Sequence, residues 1–147
     1  MRRLQSLIDV TRYVRGFRLE KSGIVPLCVT DEKQAVLRLI NAAGIQVLVA
    51  RPELSQNGNS DTYTESISTA FFIIEKSLGA DRTDVREDGQ FEALAEVADE
   101  VLTKLERDAG SFDNPDLKRL SLAAVEVVPE YNIFGGWNGY SVEVTFR

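Results

Sequence analysis

The chain of 147 residues contains no histidine, one cysteine and one methionine. Without histidine it lacks the commonest general base, the commonest transition-metal ligand and the only side chain that titrates near neutrality unperturbed. A single cysteine, Cys28, excludes an internal disulfide and a multi-cysteine zinc site. Its surroundings, Ile24-Val25-Pro26-Leu27-Cys28-Val29, are those of a small core residue in a reducing compartment rather than of a reactive thiol. There is no run of 18 or more apolar residues, so no membrane-spanning helix is expected. Met1-Arg2-Arg3-Leu4 starts like a signal peptide, but Asp9, Arg12, Arg15 and Arg18 interrupt the apolar core that would have to follow.

What remains is an ordinary globular composition, 44% hydrophobic and 27% charged, long enough for one domain spanning 1–147 with a real core. The formal net charge is −6, unevenly spread. Residues 1–21 carry six basic side chains (Arg2, Arg3, Arg12, Arg15, Arg18 and Lys21) against Asp9 and Glu20, and the rest of the chain is strongly acidic. An acidic body disfavours nucleic-acid binding, which needs clustered Lys and Arg. Arg12, Arg15 and Arg18 are candidates for docking a dipolar subunit onto an acidic neighbour, a solvated surface being the simpler alternative.

Patterning divides the chain as follows. Leu4, Leu7 and Ile8 fit a short helix, and residues 1–30 read as an N-terminal extension. Ile24–Val29, holding Pro26, suggests an edge strand or an irregular segment. Thr30 or Asp31 caps a helix running to about Asn41, with Ala35, Val36, Leu39 and Ile40 on one face. Ile45–Ala50 reads as a strand, and 53–62 as a long loop with a turn at Asn57-Gly58. A strand from Tyr63 to Glu75 carries Phe71-Phe72-Ile73-Ile74, apolar on both faces, which asks for cover by helices or by another subunit. Leu78–Gly89 reads as a polar linker. Phe91, Leu94, Ala95, Ala98, Val101, Leu102 and Leu105 then recur at helical spacing up to Gly110.

Leu120–Arg147 reads as two strands around one turn, with Tyr140, Val142, Val144 and Phe146 alternating with polar residues. The chain is therefore expected to end inside its sheet, leaving no targeting tail. The fold class expected is α+β: a mostly antiparallel sheet of about four strands packed against two main helices. No catalytic, cofactor-binding or metal-ligating set emerges. Asp99-Glu100 and Glu106…Asp108 fit a solvated helical face, and Gly135-Gly136 fits turn geometry rather than a phosphate cradle. Tyr131, Phe134, Trp137 and Tyr140 cluster around the terminal turn. They either fold back over the open end of the core or face a partner. Phe134, Trp137 and Tyr140, with Asn57 and Gly58 in the long loop, are the interface candidates beside the three arginines.

The order of elements over Ile45–Ala50, Tyr63–Glu75, Gln90–Ala109 and Leu120–Arg147 resembles that of phage tail terminator (tail completion) proteins, a likeness of arrangement rather than of a residue motif. The resemblance implies a non-enzymatic phage or prophage structural subunit that forms a homo-oligomeric ring. Such a ring caps the tail tube and contacts other tail or head-completion proteins, first in the host cytoplasm and then in the virion tail, with no cofactor, membrane or specific nucleic acid. The competing expectation is a small α+β protein-binding or regulatory module, binding a partner at a sheet edge.

Overall fold

The computed structural model describes residues 4–58, 64–110, 114–117 and 120–147. The elements are α1 (Gln5–Arg15), β1 (Leu27–Val29), α2 (Glu32–Leu39), β2 (Gln46–Ala50), β3 (Glu53–Asn57), β4 (Thr64–Lys76), α3 (Asp84–Ala109), β5 (Leu122–Ile133) and β6 (Trp137–Phe146). The fold is α+β. Its mixed sheet has six strands in the order β1-β2-β4-β6-β5, with β3 also paired to β4. The expectation of about four strands falls short because polar β3 reads as loop and three-residue β1 lies in the segment left open between edge strand and irregular.

Among the described residues only the β1–β2 pair is parallel, α2 forming the crossover between them. Asp31 caps α2 by accepting from the Gln34 backbone N–H at 2.9 Å, and the Gln34 side chain accepts from the Thr30 N–H in return. These reciprocal bonds satisfy donors that the first helical turn leaves free. Ala35 and Leu39 are buried as expected, but Ile40 and Leu37 are exposed. The helix stops at Leu39, so Ile40 leaves the buried stripe.

β2 and β3 lie in succession along one side of β4 and would be a single strand but for Arg51-Pro52. The register runs Val49↔Phe71 before the break and Glu53↔Ser68 after it, so three residues on one side oppose two on β4. Proline has no N–H to give the ladder, and the irregularity falls where that donor is missing. The buried Thr69 hydroxyl bonds the Ala50 carbonyl at this point. Residues 53–57 are thus strand, not loop as their polarity suggested, and 59–63 lie outside the described residues.

The second half of β4 is covered by helices on both faces. Ile67, Phe71 and Ile73 join Val47, Val49, Val142, Val144 and Phe146 against α1 and α3. Leu48 and Ile74 face the other way, against Ala35 and Leu39 of α2. The N-terminal segment is part of this core rather than an appendage: Val10, Tyr13, Val14, Phe17 and Leu19 are all buried. The stripe of α1 therefore overlaps the one read from sequence only at Leu7, which is partly buried against this core. Leu4 and Ile8 are exposed, because the helix turns the larger rings of Tyr13 and, just beyond Gly16, Phe17 toward the sheet.

The polar stretch after Leu78 is not a linker throughout. A single 3₁₀ turn, Gly79–Asp81, leads to Thr83, whose side chain accepts from the Arg86 N–H and starts α3 at Asp84. The first turns of α3 project into solvent, Val85 being largely exposed, so they carry no apolar period to read. From Gln90 onward the helix is buried on one stripe through Leu94, Val97, Ala98, Val101 and Leu105, and Gly110 ends it as expected. The predicted Ala95 is exposed and Val97 takes its place in the core.

Candidate interaction surfaces

Around the terminal turn four of the five residues 132–136, Asn132, Phe134, Gly135 and Gly136, have positive φ. Asn132 is held by its N–H, which donates to Asn138 Oδ1 at 2.9 Å. Asn138, almost fully buried, donates through Nδ2 to Gln90 Oε1 at 3.2 Å. Gln90 Nε2 in turn reaches Glu75 Oε1 and the Lys76 carbonyl. This chain of bonds ties the turn to α3 and to the end of β4, and it leaves the buried amides satisfied.

The turn therefore folds back over the core. Trp137 is 3% exposed and packs with Val29, Ala35, Leu39, Leu48 and Ile74. Phe134 is half-buried, edge-on to Phe72 with ring centroids 5.0 Å apart. Tyr140 lies on the opposite sheet face, half-buried against Phe91 in the same edge-to-face arrangement. Of the four aromatics around the turn, only Tyr131 is substantially exposed. The reading in which Trp137 faces a neighbour is corrected: it is buried and has no surface to offer while the chain stays folded, whereas Phe134 keeps one partly exposed side.

The basic candidates fare differently. Arg12 is exposed and pairs at 3.3 Å with both Asp9 and Asp116. Arg15 is exposed in the last turn of α1, where a cation suits the helix dipole. Arg18 donates to the carbonyls of Arg15 and Phe17. Beside it, Arg18, Lys21, Lys104 and Arg107 line a shallow depression with Glu20 and Glu100. Its charge is mixed, since Glu100 accepts the backbone N–H groups of Lys21 and Ser22, and Lys104 pairs with Asp108 at 3.3 Å while lying over the Phe17 ring. Under this surface Tyr13 donates its hydroxyl to Asp108 at 2.7 Å. Burial first, and that bond second, hold the Tyr13 phenol above its ordinary range. The depression is thus a staple between α1 and α3 more than an open cationic surface.

Asn57 closes β3 opposite Thr64, and Gly58 follows with φ 108°, a conformation suited to glycine. The candidates named from sequence do not form one surface. Phe134 and Trp137 sit on the α2 side of the sheet, and Arg12, Arg15 and Arg18 belong to the α1–α3 side.

Two open features escaped that reading. One is the edge strand β5, twelve residues long, from which Val125, Val127 and Tyr131 project into solvent. Pro129 was the available sequence signal, since proline within a sheet is confined to edges and bulges. The other is the part of the sheet that α2 leaves bare, with an open cavity of about 380 Å³ lined by Arg51, Glu53, Ser68, Glu143 and Thr145 among others. Glu126 stands directly opposite Glu143 on this face. Like charges opposed across two strands lower stability, so the folded chain carries a local electrostatic cost there.

No helix among the described residues is long and apolar enough to cross a membrane. Compared with protein-family models and with curated proteins, the chain matches none.

Proposed function

We propose that this chain is a phage or prophage assembly subunit of the tail-terminator kind, acting by shape as part of a homo-oligomeric ring that caps a tail tube and meets head-completion proteins. The observation that carries the reading is the arrangement itself. A long central strand is covered by helices on both faces of its second half, an acidic amphipathic helix follows it, and a closing hairpin leaves its outer strand open. Charge separation supports it: exposed Arg12 and Arg15 lie on α1, while Glu126 and Glu143 lie across the sheet. Heterologous contacts between unlike surfaces close into rings when the rotation permits. The test is to polymerise a phage tail-tube protein from the same genome in its presence. Tubes of limited length with this chain at one end support the proposal. Unchanged tube growth, with no chain bound, refutes it.

A second reading is favoured by the open β5 edge: a protein-binding or regulatory module that captures an extended segment of one partner. It differs in expecting a monomer or dimer and neighbouring genes unrelated to capsid, portal or tail.

A further inference from the structure

The phase of the closing hairpin determines which backbone groups of β5 are left free. Ser121 and Arg147 exchange both of their N–H···O bonds, at 2.9 and 3.0 Å. From that pair, N–H and C=O groups along β6 point alternately toward β5 and toward β4, so Thr145, Glu143, Ser141 and Gly139 bond to β5. Their register partners are Ala124, Glu126, Val128 and Glu130. The residues between them, Val125, Val127 and Pro129, turn their backbone groups away from the sheet. Pro129 confirms the phase independently, because it has no N–H and can stand only where β6 needs none. The edge therefore presents two N–H groups and three carbonyls in regular order.

The side chains that accompany this row are sorted by charge. On the α1–α3 side Val125 and Val127 are about two-fifths exposed, at 38% and 42%. On the other side stand Glu126 and Glu130, with Glu143 beside Glu126 on the next strand. Between Ser121 and Phe146 the sequence holds these three glutamates and not one Lys or Arg. A long exposed edge with apolar side chains is a template for another strand, and native proteins commonly block such edges with lysine. Here no lysine does so: the edge carries glutamates, with Pro129 and a bulge near each end, and the regular stretch left between them is Val125–Val128.

We infer that the β5 edge is a docking strand for an extended segment of a different protein, one that alternates apolar residues with Lys or Arg. Its backbone completes the row at Val125, Val127 and Pro129. Its apolar side chains extend the patch of Val125 and Val127, and its cations meet Glu126, Glu130 and Glu143. A second copy of this chain fits worse, because two β5 strands side by side gather both sets of three glutamates on one face. The inference and the tail-terminator proposal both draw on Glu126 and Glu143 but fail separately: peptide binding at β5 is measured without tube protein, and tube capping without peptide.

The experiment uses the full chain and two fluorescent ten-residue peptides, one alternating valine with lysine and one alternating valine with glutamate. The lysine peptide is expected to bind at least tenfold more tightly, more weakly at high salt, and to slow hydrogen exchange at the Val125 and Val127 amides. Val127→Pro removes an outward N–H that the fold does not use, so it should keep its circular dichroism spectrum and lose at least tenfold in binding. Glu126→Lys with Glu143→Lys should reverse the peptide preference. Equal affinity for the two peptides, binding by neither, or protection that falls away from β5 overturns the inference. So does a folded Val127→Pro variant that binds normally, or self-association of the chain that Val127→Pro abolishes. If Val127→Pro fails to fold, the exchange pattern of the unmodified chain with the lysine peptide decides.

Discussion

Replacing Trp137 with alanine separates the two roles that a lone tryptophan in a turn can have. It is 3% exposed and fills the layer between the sheet and α2, touching a cluster that includes Leu39, Leu48 and Ile74. Truncating a buried Phe or Trp to alanine costs about 3–5 kcal/mol, the lost transfer energy adding to the cavity left behind. Against a total stability on the order of 5–15 kcal/mol, that is a large share. Trp137 is the only tryptophan, so the variant loses its fluorescent reporter and unfolding should be followed by far-UV circular dichroism in urea. The unmodified chain should show blue-shifted emission that moves red on unfolding. Phe134 supplies the control. Its φ of 51° is one that an L side chain adopts at a cost of roughly 1–2 kcal/mol and glycine does not. Phe134→Gly should therefore be about 1 kcal/mol less damaging than Phe134→Ala, although both lose the contact with Phe72. A Trp137→Ala variant within about 1 kcal/mol of the parent would refute the burial of this turn. It would return Trp137 to the surface as an interface residue.

Asn138→Ala should destabilise by about 1–3 kcal/mol in urea titrations, because it orphans the Asn132 N–H and the Gln90 carbonyl oxygen at a buried site. Gly139→Ala should fail to give soluble folded protein, since a Cβ there would overlap the Ile73 backbone and force β6 away from β4; normal yield and melting would show the strands to be less closely apposed. Tyr13 is protonated more firmly in the folded state than its ordinary value of about 10. The unfolded chain therefore releases that proton first as pH rises, and the stabilisation, complete below about pH 10, is lost above it. Tyr13→Phe should flatten this alkaline loss, as read from thermal midpoints between pH 8 and 11, and an identical slope in the variant would contradict it.

Much of the architecture is legible in the sequence because burial imposes periods. The doubly apolar run Phe71–Ile74 announced a strand covered on both faces, and the alternation from Tyr140 to Phe146 announced a strand covered on one. What failed to show has physical causes. The first turns of α3 are held by the Thr83 cap and by ion pairs from Arg82 to Asp84 and Glu87, interactions with no apolar period. β3 borrows its order from β4 while remaining polar. The face of α1 was misjudged because its burial is decided by Tyr13 and Phe17, which also pack edge-on to each other, and not by the leucines before them. The aromatic turn illustrates the same limit on site reading. Composition marks Phe134 and Trp137 as adhesive, but only the packing of α2 beneath them tells whether the adhesion is internal. The open edge of β5 shows the reverse case, a surface whose side chains look like core until no strand pairs with that edge among the described residues.

The claim on which the functional account depends is that this chain works as an assembled ring. Native mass spectrometry of the full chain, alone and with tail-tube protein, measures it most directly. The account expects a single closed oligomer of ring size, or its appearance when tube protein is added. A strict monomer under both conditions, with no tube protein bound, would contradict it.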